Sequence, residues 1–196
     1  MKENIKKLNI IYITTLVLAL SFTIFVVSKF KKTKNIKIDE IPKEKDNITE
    51  SEIKDNYDRY YFLNNALKYQ KDTIPNFKIS SGFGYRTHPV TGEKKLHNGI
   101  DIPLKEGTPI YAPIDGYAVI FSTKDGGKQL LLKNSKKNIQ FGYAHLSDWK
   151  VKNGDLVKKG DLIALSGNTG KSTGPHIHLT IKDLKTNEYI NPELYI

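Results

Sequence analysis

The 196-residue chain contains no cysteine. That excludes disulfides, thiolate metal sites, a cysteine nucleophile and lipidation on sulfur. Any metal must be held by His, Asp or Glu. Histidine is scarce as well, five in all, so the position of each one is informative. Acidic residues are outnumbered, 21 against 31 Lys and Arg, for a formal net charge of +10. Adhesion to anionic lipid or polymer accounts for such a surplus. No nucleic-acid-binding motif accompanies it, so nucleic acid is not an expected partner.

Long apolar runs are absent with one exception. Residues 8–28 carry no charge and are dominated by Ile, Leu, Val and Phe. As a helix they extend roughly 30 Å, the thickness of a bilayer core. The run is long for a signal-peptide core and no small-x-small cleavage site follows it. We therefore expect an uncleaved transmembrane signal anchor over 8–28, after a short tail, 1–7. Lysines flank both ends (Lys2, Lys6, Lys7, then Lys29, Lys31, Lys32, Lys34 and Lys37), and their count alone favours a cytoplasmic C-terminal part. Residues 29–48 are charged and apolar-poor, the composition of a flexible linker.

A helical region is expected over 49–75. Thr49-Glu50-Ser51-Glu52 fits a capping box, and Ile53, Tyr57, Tyr60, Tyr61, Leu63, Ala66 and Leu67 recur near helical spacing. The helix itself covers roughly 51–70, its aromatic stripe is expected to pack into a core, and Pro75 ends it. Its lack of another obvious partner suggests that it folds over a functional cleft. From residue 76 onward, glycines and turn dipeptides punctuate short apolar runs at 109–112, 116–122, 129–133, 139–145, 161–166 and 176–182. Asp125-Gly126-Gly127 reads as a hairpin turn. These features predict a mainly β domain over 76–196, with antiparallel sheet in a barrel-like arrangement.

The chemistry begins at Pro175-His176-Ile177-His178-Leu179. In a strand, His176 and His178 share one face, and Ile177, Leu179 and Ile181 share the other. The same alternation applied to Leu96-His97-Asn98-Gly99-Ile100-Asp101-Ile102 puts His97, Gly99 and Asp101 on one face. Gly99 there leaves room for an ion. His97, Asp101 and one of His176 and His178 supply two imidazoles and a carboxylate. Three protein ligands with an open position is the arrangement of a catalytic zinc site. The remaining histidine of the pair, with His145, is available to act on water and on an oxyanion.

These motifs resemble the zinc metallopeptidases of the lysostaphin/LytM type, peptidase family M23. The matching stretches are Ser81-Gly82-Phe83-Gly84-Tyr85-Arg86 with His88-Pro89, His97-Asn98-Gly99-Ile100-Asp101-Ile102, Gly107-Thr108-Pro109-Ile110-Tyr111-Ala112-Pro113, and Tyr143-Ala144-His145-Leu146-Ser147. The densest runs from Gly167 to His178, and Asn191-Pro192 with Tyr195 closes the series.

The resemblance implies a division of labour that spacing left open. His97, Asp101 and His178 would ligate one zinc ion per catalytic domain, and His145 and His176 would be catalytic. It implies a zinc metalloendopeptidase acting on the peptides of bacterial peptidoglycan, in stems or cross-links. That substrate places the catalytic domain on the extracytoplasmic side of a single-pass anchor, against the lysine count. The alternative within the same fold is an inactive regulator that binds and activates another wall hydrolase, but such relatives lack some of these five residues. Thr180, where relatives often carry Glu, is a departure from the pattern that affects support behind the ligands. His88 matches a family loop and has no assigned metal role.

Overall fold

The computed structural model describes residues 50–87 and 94–196. The anchor over 8–28, the linker over 29–48 and His88 lie outside the described residues. Among the described residues, no helix is long and apolar enough to cross a membrane.

Helix α1 runs Glu50–Thr73. From Asp58 onward it belongs to one compact unit that extends to Ile196. Leu63, Ala66, Leu67, Gln70 and Ile74 recur three or four residues apart, and all are buried. Such a spacing turns one stripe of a helix to the core. Fully burying a leucine such as Leu63 or Leu67 contributes roughly 1.5–3 kcal/mol. The aromatic residues behave otherwise than their spacing suggested: Tyr57, Tyr60 and Tyr61 are 42–62 % exposed. The aliphatic stripe takes the core, and the tyrosines stay at the surface.

Among the described residues, twelve strands follow: β1 Gly84–Thr87, β2 Lys94–His97, β3 Ile100–Pro103, β4 Pro109–Tyr111, β5 Gly116–Thr123, β6 Gly127–Asn134, β7 Ile139–Leu146, β8 Asp148–Trp149, β9 Leu156–Val157, β10 Leu162–Leu165, β11 His176–Asp183 and β12 Tyr189–Ile190. A 3-10 turn, Pro192–Tyr195, follows the last strand. The main sheet runs β12-β11-β7-β6-β5-β9, with β3 also paired to β11. Two smaller sheets are β4-β10-β8 and β1-β2. All pairings are antiparallel. The expected barrel-like closure is replaced by separate open sheets: β9 and β12 end the main path without pairing to each other.

Strand β11 lies inside the main sheet. It pairs with β7 along one edge and with β3 and then β12 along the other. Its alternation is clean. Ile177, Leu179 and Ile181 are fully buried among Ile100, Ile102, Leu130, Leu132, Phe141 and Tyr143. His176 and His178 take the opposite face. Residues 58–73 of helix α1 cover the core face, where the Tyr143 hydroxyl donates to Gln70 Oε1 at 2.7 Å. The expectation that the helical segment folds over the cleft is therefore corrected for residues 58–73, which pack behind the sheet.

Candidate metal centre

Residues 96–102 are not one strand. β2 ends at His97 and β3 begins at Ile100. His97 pairs with Gly84 in the two-stranded sheet, whereas Asp101 pairs with His178 in the main sheet. The break at Asn98 and Gly99 lets one short segment supply ligands from two sheets. Gly99 is required because the β11 backbone passes against it: a Cβ there would strike the Leu179 carbonyl and the Thr180 and His178 side chains.

His97, Asp101 and His178 converge, with their ligand atoms within 4.8 Å of one another. Asp101 Oδ1 lies 2.7 Å from His178 Nδ1 and 3.1 Å from His97 Nε2. The two ring nitrogens are 3.1 Å apart. The outward nitrogens fix the tautomers. His97 Nδ1 lies 2.6 Å from the Gly82 carbonyl, and His178 Nε2 lies 3.0 Å from Asn98 Oδ1. Both oxygens only accept, so both outward nitrogens carry hydrogen. His97 Nε2 and His178 Nδ1 are then bare lone pairs aimed at a carboxylate.

A neutral imidazole pair and a carboxylate facing inward repel one another unless a cation or a proton sits among them. Tetrahedral zinc with ligands at about 2.0–2.1 Å separates its ligand atoms by about 3.3 Å. The observed spacings of 2.7–3.1 Å are close to that. The donor set and spacing thus fit a divalent metal. The same field acts on the titrations. Burial opposes ionisation of Asp101, but the imidazoles of His178 and His97, which donate to it when protonated, outweigh burial and hold the carboxyl well below its usual range. The bond to Asp101 raises the pKa of His97, with burial opposing it.

His145 and His176 form a second pair, their ring centroids 4.6 Å apart. Here too the outward nitrogens are held by carbonyls. His145 Nδ1 donates to Thr169 at 2.8 Å, and His176 Nδ1 donates to Gly174 at 2.7 Å. Nε2 of each ring is therefore bare, and that of His176 lies 3.9 Å from Asp101 Oδ1. The pKa of His145 is lowered, first by burial and then by the neighbouring His176 and His178.

Strand alternation alone does not deliver this pair. Tyr143 lies on the core face and Ala144 opposite His178, so a regular strand would turn His145 toward the core. The β6–β7 register shifts between the pairs Lys128↔Leu146 and Leu130↔Tyr143, which inserts an extra residue in β7. His145 sits in that bulge with φ 63°. Bulges re-aim side chains next to active sites. The left-handed conformation costs a non-glycine residue of order 1–3 kcal/mol. It is held by the His145 N–H donating to Gly126 at 2.9 Å and by the ring bond to Thr169.

The structure thus brings together all five residues that the sequence singled out. It adds groups that sequence reasoning missed: the Gly82, Thr169 and Gly174 carbonyls, Ser172 Oγ at 3.0 Å from His176 Nδ1, and Asn98. Asn98 stood inside the His-x3-Asp motif, but a continuous strand would have turned it away. A cavity of about 650 Å³ beside α1, lined by Phe62, Ile114, Asn134 and Lys137, contains none of these histidines.

Residues 95–192, half of the chain, match the model of peptidase family M23. The chain is 39% identical over 105 residues to the peptidoglycan DD-endopeptidase ShyB of Vibrio cholerae, covering 53% of this chain and 25% of that protein. The structure of a zinc-containing peptidase from Vibrio cholerae is similar with a TM-score of 0.57 at 35% identity, over 61% of this chain and 37% of that one. The catalytic domain of the antimicrobial peptidase lysostaphin from Staphylococcus simulans is similar with a TM-score of 0.55 at 32% identity, over 61% of this chain and 92% of that one. The chain spans about a quarter of the length of curated relatives that it matches. With half of its length matched by the family model, and most of a solved catalytic domain overlaid on its sheets around a converging His-Asp-His cluster, the chain belongs to peptidase family M23.

Proposed function

We propose that this protein is a zinc-dependent endopeptidase that hydrolyses peptide amides of peptidoglycan. The observation that carries the proposal is the pairing of two groups: three inward lone pairs on His97, Asp101 and His178, beside two bare imidazole nitrogens on His145 and His176. The similarity to a peptidoglycan DD-endopeptidase supports the substrate class. The similarity to a zinc-containing peptidase supports the metal.

His97 Nε2, Asp101 Oδ1 and His178 Nδ1 would hold zinc. Bound there with an open position, zinc supplies Lewis-acid chemistry, polarising a carbonyl and acidifying water. His145 and His176 do the proton work. Each has its Nδ1–H fixed on a carbonyl, so its Nε2 accepts a proton from the attacking water without tautomer change. The imidazolium so formed then donates to the oxyanion or to the departing amine. Burial keeps His145 neutral below the usual imidazole range, which preserves it as a base.

The same reading includes a membrane anchor over residues 8–28, with the peptidase outside the cytoplasmic membrane. It is supported by the absence of charge in that run and by a substrate that lies outside the membrane. Zinc-loaded protein incubated with purified peptidoglycan is expected to release muropeptides with new peptide ends, seen by mass spectrometry. Chelation should stop the release. A protein that binds zinc stoichiometrically but releases nothing would favour the inactive regulator. The cysteine-free background makes orientation simple to test. Ser135→Cys, at an exposed turn, should react with a membrane-impermeant thiol reagent on intact cells. Labelling only after lysis would refute the orientation.

A further inference from the structure

The 3-10 turn Pro192–Tyr195 has no part in the chemistry above, yet it touches the segment behind His97. Asn191 caps it, its Oδ1 accepting from the Glu193 N–H at 2.9 Å. The turn directs the Glu193 side chain over residues 82–83, where Oε1 accepts the Phe83 N–H at 2.8 Å. Phe83 N–H and Gly82 C=O are the two ends of one planar peptide unit. Its other end is the carbonyl that accepts His97 Nδ1–H at 2.6 Å. A single amide thus bears a carboxylate on its donor and a candidate metal ligand on its acceptor.

We propose that Glu193 is a positioning residue for His97, acting through the Gly82–Phe83 peptide. A carboxylate at the N–H end draws that hydrogen toward itself and shifts negative charge onto the carbonyl oxygen. Hydrogen bonds in such chains strengthen one another by about 10–30%, and a charged acceptor makes the first link about twice as strong as a neutral one. The carbonyl then holds His97 with hydrogen on Nδ1, which leaves the Nε2 lone pair directed at Asp101 and His178. Outer partners of metal-binding histidines act in this way, fixing the tautomer and raising ligand basicity.

A second observation is independent of these bonds. A Cβ on Gly82 would lie 2.6 Å from Glu193 Oε1 and 3.3 Å from its Cδ. Glycine at 82 is what admits the carboxylate to this peptide. Glu193 lies just beyond the stretch 95–192 that matches the family model, and Gly82 lies before it. The relay therefore ties together two segments on either side of that stretch.

The effect on zinc rests on the reading of His97 as a ligand, whereas the effect on the tautomer does not. The test uses the full chain with ¹⁵N-labelled histidine. Long-range ¹H–¹⁵N correlation reports the His97 tautomer in metal-free protein at alkaline pH, and competition with a chromophoric chelator reports zinc affinity. The wild type should show the Nδ1–H tautomer. Glu193→Ala frees the exposed Gly82–Phe83 peptide to turn its carbonyl away from His97, and should mix the tautomers and weaken zinc binding by up to about 10-fold, the low end for outer partners. Glu193→Gln, which keeps the acceptor oxygen and loses the charge, should fall between the two. Gly82→Ala, which displaces the carboxylate, should reproduce Glu193→Ala, and the double variant should be no worse than either. If Glu193→Ala retains the wild-type tautomer and affinity, the proposal is wrong. If the tautomers mix in Glu193→Ala but no variant, nor the wild type, binds zinc, the positioning role stands and the metal reading fails.

Discussion

Two histidine pairs meet at this site, and they differ in one neighbour. His97 and His178 face the Asp101 carboxylate at 3.1 and 2.7 Å. His145 and His176 face each other, and the nearest carboxylate oxygen is 3.9 Å from His176. The consequence is opposite shifts in the same side chain. His97 is raised by its bond to Asp101, and His145 is lowered by burial and by neighbouring imidazoles. Residue type alone does not set the direction of an imidazole's shift: the carboxylate beside His97 raises it, and burial at His145 lowers it.

The comparison breaks most severely at His178. His178→Ala should lose bound zinc and peptidase activity together, measured as metal content and product release. His145→Ala should keep its zinc and lose about 10²–10⁴-fold in rate, the range for removing a general acid–base group. Loss of zinc from His145→Ala would mean that the two pairs do not have separate roles. Asn98→Ala should be milder, weakening zinc binding about 10–100-fold by freeing the outward nitrogen of His178, while the rate at saturating zinc recovers.

Two pH experiments sharpen the contrast. The acid limb of kcat/KM should fall below the ordinary imidazole value of about 6.5, because His145 is shifted down and must be neutral to act. A limb above that value would place the base elsewhere. The smallest effect concerns the metal-free protein. A raised folded-state pKa for His97 stabilises fully below the unfolded value of about 6.5 and is lost as pH rises through the folded value. Chelated protein should therefore melt at a lower temperature as pH rises through that window. His97→Gln should remove the dependence.

Much of this was legible without the structure. The runs at 109–112, 116–122, 129–133, 139–145 and 176–182 correspond to β4, β5, β6, β7 and β11 within a few residues. The reason is that turn glycines and period-two alternation are local properties. The shortest strands, β8, β9 and β12, carry too few residues for any period to show. The tyrosine stripe of α1 was misread because helical spacing shows which residues share a face, not which face meets the core.

The sequence by itself determined the ligand inventory. Without cysteine, and with five histidines, a metal site had to draw on His, Asp or Glu, and the 176/178 spacing put two imidazoles on one strand face. The tertiary structure decided how the others joined them. The break after His97 splits one motif across two sheets, the bulge at His145 turns a core-facing position toward the site, and the last turn brings Glu193 to the peptide behind His97. Each depends on contacts between segments far apart in the chain, which no local periodicity records.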